Sequence, residues 1–173
     1  MLIILSPLLL LIAIIVRLDS KDEILFKQKR IGKNSKIFYI YKFRTMSDNS
    51  HRSVPSNELI SENITKIGKY LRKTSLDELP QLINIIKGEM SFIGYRPVIP
   101  EETNLISLRK KYKIDENLPG LTGWAQINGR DSIDTYEKIE FERYYYQNKN
   151  TLFNIKIILM TICKVITREC VYD

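Results

Sequence analysis

Two adjacent carboxylates, Asp77 and Glu78, stand in the stretch Leu71 to Leu82, LRKTSLDELPQL, just after the cations Arg72 and Lys73. Pro80 decides how a helix can begin here, because proline lacks an N–H and is tolerated only in the first turn. With Asp77 as N-cap, Pro80 takes the third helical position. With Ser75 as N-cap, SLDE forms a capping box through Glu78, but Pro80 falls one bond too deep. In either register the pair sits at the positive end of a helix, which binds phosphate and predicts a depressed, ionised carboxylate. Capping alone would account for the two residues. Their company points further: Arg72 lies upstream, Arg96 sits in GYRP and Arg130 ends INGR. Carboxylates that hold Mg²⁺, with guanidinium groups gripping phosphate oxygens, are what a metal-bound diphosphate needs. Each cation also has a plainer reading, Arg72 as complement to a helix C-terminus and Arg96 as a solvated loop residue. Lys42 and Arg44 of YKFRTM are further phosphate candidates, or the outward face of a strand.

The elements around these residues predict an α+β domain, mostly helical with one β-hairpin. ILFKQKRIGKNSKIFYIYKFRTM reads as two strands about a Gly-Lys-Asn-Ser turn, with Ile37, Tyr39, Tyr41 and Phe43 on one face by period two. A polar loop over 47–57 follows. Ile60, Ile64, Ile67 and Leu71 then make one helical stripe. The helix after the carboxylates turns Leu79, Leu82, Ile83 and Ile86 inward and ends at Gly88. A helix is expected from Glu101 to Lys113, and LPGLTGWAQINGRD is too rich in turn formers to be helical. Helices near 133–147 and 151–168 close the chain.

Composition bounds the partners. With 27 Lys+Arg against 20 Asp+Glu the formal charge is +7, which favours an anionic partner: nucleic acid, anionic membrane or phosphorylated substrate. Cys163 and Cys170 make a poor disulfide framework and a poor zinc site. The one histidine, His51, lies in a polar loop, so a His-rich metal site is excluded. No nucleic-acid-binding signature is present and the basic residues are dispersed, so nucleic acid is not an expected partner.

Residues 1–16, MLIILSPLLLLIAIIV, carry no charged side chain. As a helix they reach ~24 Å, short of the ~30 Å hydrocarbon core, and Ser6-Pro7 interrupts them. A core helix, a spanning helix and a helix that enters one leaflet and turns back are the three readings; insertion without a full crossing is favoured. TLFNIKIILMTICKVITREC has the pattern of an interfacial helix with cationic edges, and the tyrosines of FERYYYQNK suit a headgroup boundary. The alternative is that both pack on the protein's own core.

Four motifs in order, LSPLLLLIAIIVRLDS, FKQKRIGKNSKIFYIYKFRTM, TSLDELPQLINIIKGEMSFIGYRP and LPGLTGWAQINGR, resemble the bacterial sugar transferase family, monotopic phosphoglycosyl transferases acting on polyprenyl phosphate. The resemblance implies transfer of a sugar 1-phosphate from a UDP-sugar to undecaprenyl-type phosphate, releasing UMP, at the cytoplasmic face of the bacterial inner membrane. This is the initiating step of membrane polysaccharide synthesis. By it Asp77 is the nucleophile, forming a phospho-aspartyl intermediate, and Glu78, with Asp77, holds Mg²⁺. Arg72, Arg96 and Arg130 are the candidates for binding phosphate, with Lys42 and Arg44 as second choices. Residues 1–18 become a re-entrant or interfacial membrane helix in one leaflet, and 19–173 the cytoplasmic transferase domain. Family members carry further residues before the Ser-Pro break, so a truncated N-terminus is expected. The usual Gly-Pro-Arg-Pro reads Gly94-Tyr95-Arg96-Pro97, which predicts a freer loop, and the usual Arg-Pro-Gly reads Leu118-Pro119-Gly120. The rival reading is a truncated, inactive membrane-surface module of the same fold.

Overall fold

The computed structural model describes residues 2–20, 22–47, 64–129 and 133–167. Among them the chain is mostly helical, with a two-stranded antiparallel hairpin as expected and a second, parallel pair that the periodicity does not show. Its elements are α1 (Leu2–Asp19), β1 (Leu25–Ile31), β2 (Ile37–Phe43), α2 (Lys66–Lys73), α3 (Leu82–Ile86), β3 (Ser91–Ile93), α4 (Thr103–Lys111), β4 (Gly120–Thr122), α5 (Trp124–Asn128), α6 (Thr135–Asn148) and α7 (Thr151–Thr167). His51, Ile60, Arg130, Cys170 and the polar loop beyond Ser47 lie outside the described residues.

The hairpin pairs Leu25 with Phe43 and Ile31 with Ile37, around a 3-10 turn at Lys33–Ser35. Of the two faces that period two separates, the one carrying Phe38 and Ile40 turns inward along most of β2. Phe38 and Ile40 are buried against Met90, while Ile37 and Tyr39 are exposed. The alternation matters for the site, because Lys42 shares the face of Phe38 and Ile40. Phe43, on the other face, is buried too, where α1 crosses the end of the strand.

Pro80 leaves its mark on the next segment. Ser75 is the N-cap, in a left-handed conformation (φ 53°) with no side-chain cap, and Leu76–Gln81 winds as a 3-10 helix. An α-helix through Pro80 would drive the ring into the carbonyl of Leu76, so α-geometry starts only at Leu82. Of the four residues expected inward, Leu82 is buried but Ile86 is exposed. Asn84 takes the inner position instead. It accepts from the Tyr41 N–H (3.2 Å) and donates to the Tyr39 carbonyl and Glu89 (both 2.7 Å), doing for the outer edge of β2 what a neighbouring strand would do. Gly88 follows α3 with φ +73°, the left-handed terminator anticipated there.

α1 buries one stripe, Ile12 and Val16 flanked by Leu9 and Ala13, on Phe43 and Leu71. Its other side leaves Leu10, Leu11, Ile14 and Leu18 exposed. Among the described residues no helix is long and apolar enough to cross a membrane. α7 divides in the same way: Ile157 is fully buried against Ile127 and Tyr145, while Leu152, Ile155, Leu159, Ile162 and Ile166 are exposed at spacings of three and four. Of the three tyrosines in FERYYYQNK, Tyr145 is buried, Tyr146 packs against the core and Tyr144 is exposed, so two of them serve the interior.

β3 and β4 run parallel, Ser91 beside Gly120 and Ile93 beside Thr122. They approach so closely that a Cβ on Gly120 would collide with the backbone nitrogen of Gly94. Gly120→Ala is therefore expected to destabilise by about 3 kcal/mol, because backbone rather than a flexible side chain must yield. A denaturant midpoint within error of wild type would show that the strands can separate freely.

Candidate active site

Four of the expected site residues gather around Asp77. The hairpin brings Lys42, α2 brings Arg72, the 3-10 turn carries Asp77 and Glu78, and the loop after β3 carries Arg96. The Lys42 ammonium bonds Glu78 Oε1 at 2.8 Å, and Arg96 Nη1 lies 3.9 Å from the same oxygen. Arg72 donates from Nε to Thr45 Oγ1 at 2.9 Å, close enough to Asp77 for the two charges to act on each other. Arg44 is placed otherwise, donating from Nε to the Glu23 carbonyl at 2.8 Å beside the hairpin. Arg130 falls outside the described residues.

The electrostatics of Asp77 reverse the expectation of a depressed carboxylate. Its side chain is buried, 8% exposed, and its pKa is raised to about 6. Burial is the largest cause and the Glu78 charge adds to it, while Lys42, Arg72 and a backbone hydrogen bond oppose. A short 3-10 turn supplies little of the aligned dipole that a long α-helix would bring. Such a carboxylate is poorly solvated when ionised, so a hydration shell does little to quench it.

The freer loop expected at Gly94-Tyr95-Arg96-Pro97 is not found. Tyr95 is 2% exposed, packed with Val98, Leu105, Ile114 and Ile139. The Gly120 N–H donates to its carbonyl at 2.8 Å, and Ile31 N–H donates to Val98 O at 2.8 Å just beyond. A buried aromatic anchor here substitutes for the rigidity of a proline. Sequence reasoning also missed Arg109 and Glu142, a buried bidentate pair joining α4 to α6. Thirty-three positions separate them, and no local pattern signals such a partner.

Beside the carboxylates runs an apolar groove of about 750 Å³. One wall is α1, with Ser6, Pro7, Leu9, Leu10 and Ala13; the other is Ile24, Leu25, Phe43, Leu79, Pro80 and Ile83. Leu79 and Pro80 directly follow Glu78, so the groove and the charged cluster share one segment of chain.

A charged cluster against an apolar groove has the chemistry an amphiphilic phosphate would need. The family model described as bacterial sugar transferase matches residues 1–168. The chain belongs to the bacterial sugar transferase family. This sugar transferase is 41% identical over 165 residues to the sugar transferase EpsL of Bacillus subtilis, covering 95% of this chain and 80% of that one. It is 38% identical over 177 residues to the exopolysaccharide production protein ExoY of Sinorhizobium fredii, covering 93% and 78%. It is 37% identical over 179 residues to the UDP-glucose:undecaprenyl-phosphate glucose-1-phosphate transferase of Escherichia coli. That match takes in 99% of this chain but only 39% of the longer relative.

Among the described residues of the sugar transferase, no cluster of three or more His, Cys, Asp or Glu could form an all-protein metal cage. Two adjacent carboxylates do fit Mg²⁺, which usually keeps several waters and takes the rest of its oxygens from substrate phosphates.

Proposed function

We propose that the chain transfers a sugar 1-phosphate from a UDP-sugar to polyprenyl phosphate, giving polyprenyl-diphospho-sugar and UMP. The observation that carries this reading is the buried Asp77, set among Lys42, Arg72 and Glu78 where the groove begins. A carboxylate oxygen of Asp77 attacks the sugar-proximal phosphorus. The bond from that phosphorus to the bridging oxygen breaks, and UMP leaves with the electron pair. An oxygen of the lipid phosphate then attacks the same phosphorus and restores the carboxylate. Arg72, Arg96 and Lys42 bind the phosphate oxygens, with Arg130 and Arg44 as further candidates. Glu78 and Asp77 would hold Mg²⁺, which when bound offsets the charge of the departing UMP.

The isoprenoid chain of the acceptor lies along the groove, its phosphate toward Asp77. The exposed apolar sides of α1 and α7 seat the protein in one leaflet, with Arg17 and Lys156 among their charges. In that setting the active site faces the cytoplasm on the inner membrane, where nucleotide sugars are made. The E. coli relative, whose name states a UDP-sugar donor and an undecaprenyl-phosphate acceptor, supports the same assignment.

Incubation with UDP-sugar labelled in the sugar phosphate, without acceptor, should leave label on Asp77, and polyprenyl phosphate should chase it off. Label on another residue, or none with UMP still released on adding acceptor, would defeat the mechanism. The groove is tested separately by Leu10→Asp, which puts a charge on an exposed wall position. Labelling of Asp77 should proceed at the wild-type rate, and the chase should slow by roughly tenfold. An unchanged chase would place the lipid elsewhere.

A further inference from the structure

Of Lys42, Arg72 and Arg96, only Arg96 is carried by a loop rather than by a helix or strand. The backbone before it is tied from below. The Tyr146 hydroxyl, on α6, accepts from the Tyr95 N–H at 3.2 Å and donates to the Leu118 carbonyl at 3.4 Å, bridging the two loops that follow and precede the parallel strands. The Tyr95 ring lies under the Arg109 guanidinium, 4.5 Å from its centroid. Arg109 is held in turn by Glu142, one helical turn before Tyr146 on the same face of α6. Among the described residues the buried Tyr95 hydroxyl has no hydrogen-bond partner, so the ring, and not its polar tip, is the seat.

We propose that Glu142 and Tyr146 on α6, with Arg109 on α4, are positioning residues that hold the Tyr95–Pro97 backbone and so keep Arg96 beside Glu78. They touch no reacting group and act through Tyr95. The functional consequence rests on the phosphosugar transfer proposed above; the structural one does not. The guanidinium of Arg96 can meet a phosphate in the geometry required only if its loop does not have to be ordered anew at each turnover.

Tyr146→Phe removes the bridging hydroxyl and keeps the packing, so it is the variant of choice. In the full chain in lipid nanodiscs, amide exchange at Tyr95 should quicken at least tenfold, with the melting temperature nearly unchanged. UMP release should fall about fivefold in kcat/KM, as for one lost hydrogen bond. The same change made in an Arg96→Ala background should cost almost nothing further, because the residue it positions is gone. Unchanged exchange at Tyr95, or an equal loss of activity in both backgrounds, overturns the proposal. Should the wild-type chain release no UMP at all, the transfer reading fails by itself, and exchange at Tyr95 alone decides whether α6 orders the loop.

Discussion

Asp77→Asn is expected to abolish UMP release, by at least ~10³-fold, and to make the protein more stable at pH 7.5 in magnesium-free buffer. The activity loss follows from removing the proposed nucleophile. The stability gain follows from the direction of the pKa shift. The folded-state pKa is about 6, against an ordinary value of 3.8, so folding favours the protonated acid. Above pH 6 the wild type must keep an ionised group in a poorly solvated place, which costs on the order of 2–3 kcal/mol for a shift of this size. Asparagine escapes that cost. The gap between variant and wild type should therefore be full above about pH 6 and shrink as pH falls through 3.8, below which both states of the wild type are protonated. Saturating Mg²⁺ should narrow the gap at pH 7.5, since a cation favours the ionised form. Equal melting temperatures at pH 7.5 without metal would mean that Lys42 and Arg72 already compensate the burial. A site that destabilises its own fold through its reactive group is the expected signature of function traded against stability.

Much of this arrangement is legible before any coordinates. The hairpin announces itself by a Gly-Lys-Asn-Ser turn between β-branched and aromatic runs, and α6 and α7 fall within two residues of their expected limits. Gly88 and Pro80 act through backbone geometry alone, so they mean the same thing in any context. What stays hidden depends on partners distant in sequence. Which face of β2 turns inward is decided by Met90 and Asn84, and alternation cannot supply them. The raised pKa of Asp77 reflects burial by elements from the whole domain, whereas dipole reasoning sees one turn of helix. Tyr95 reads as a lost proline until Arg109 and Tyr146 are seen to clamp it. The candidate site is legible because its carboxylates and cations lie in short motifs; its order comes from helices whose visible signal is amphipathic spacing.

Glu142→Ala is expected to destabilise the protein by about 3–5 kcal/mol, the largest loss of any single change considered. Arg109 and Glu142 are 2% and 3% exposed, and truncating the acid leaves a guanidinium deep in the domain without its bidentate counter-charge. The pKa of Arg109 is raised even so, because the Glu142 charge and hydrogen bonds outweigh the burial that would lower it, and a buried arginine does not escape by giving up its proton. Replacing both partners, Arg109→Met with Glu142→Leu, should recover most of that loss, since well-packed apolar groups of similar volume commonly equal a buried ion pair. Denaturant unfolding of the two single variants and the double gives the coupling directly. Recovery of stability should not bring full recovery of function. Methionine can fill the space above Tyr95, but it replaces a planar cation with a flexible chain and gives the ring a less defined seat. A double variant as stable as wild type that still exchanges faster at Tyr95 would separate holding the domain together from aiming Arg96. If instead the double variant matched wild type in both, the ion pair would be packing alone, and the order of the loop would rest on the Tyr146 hydroxyl and the strand pairing of β3 with β4.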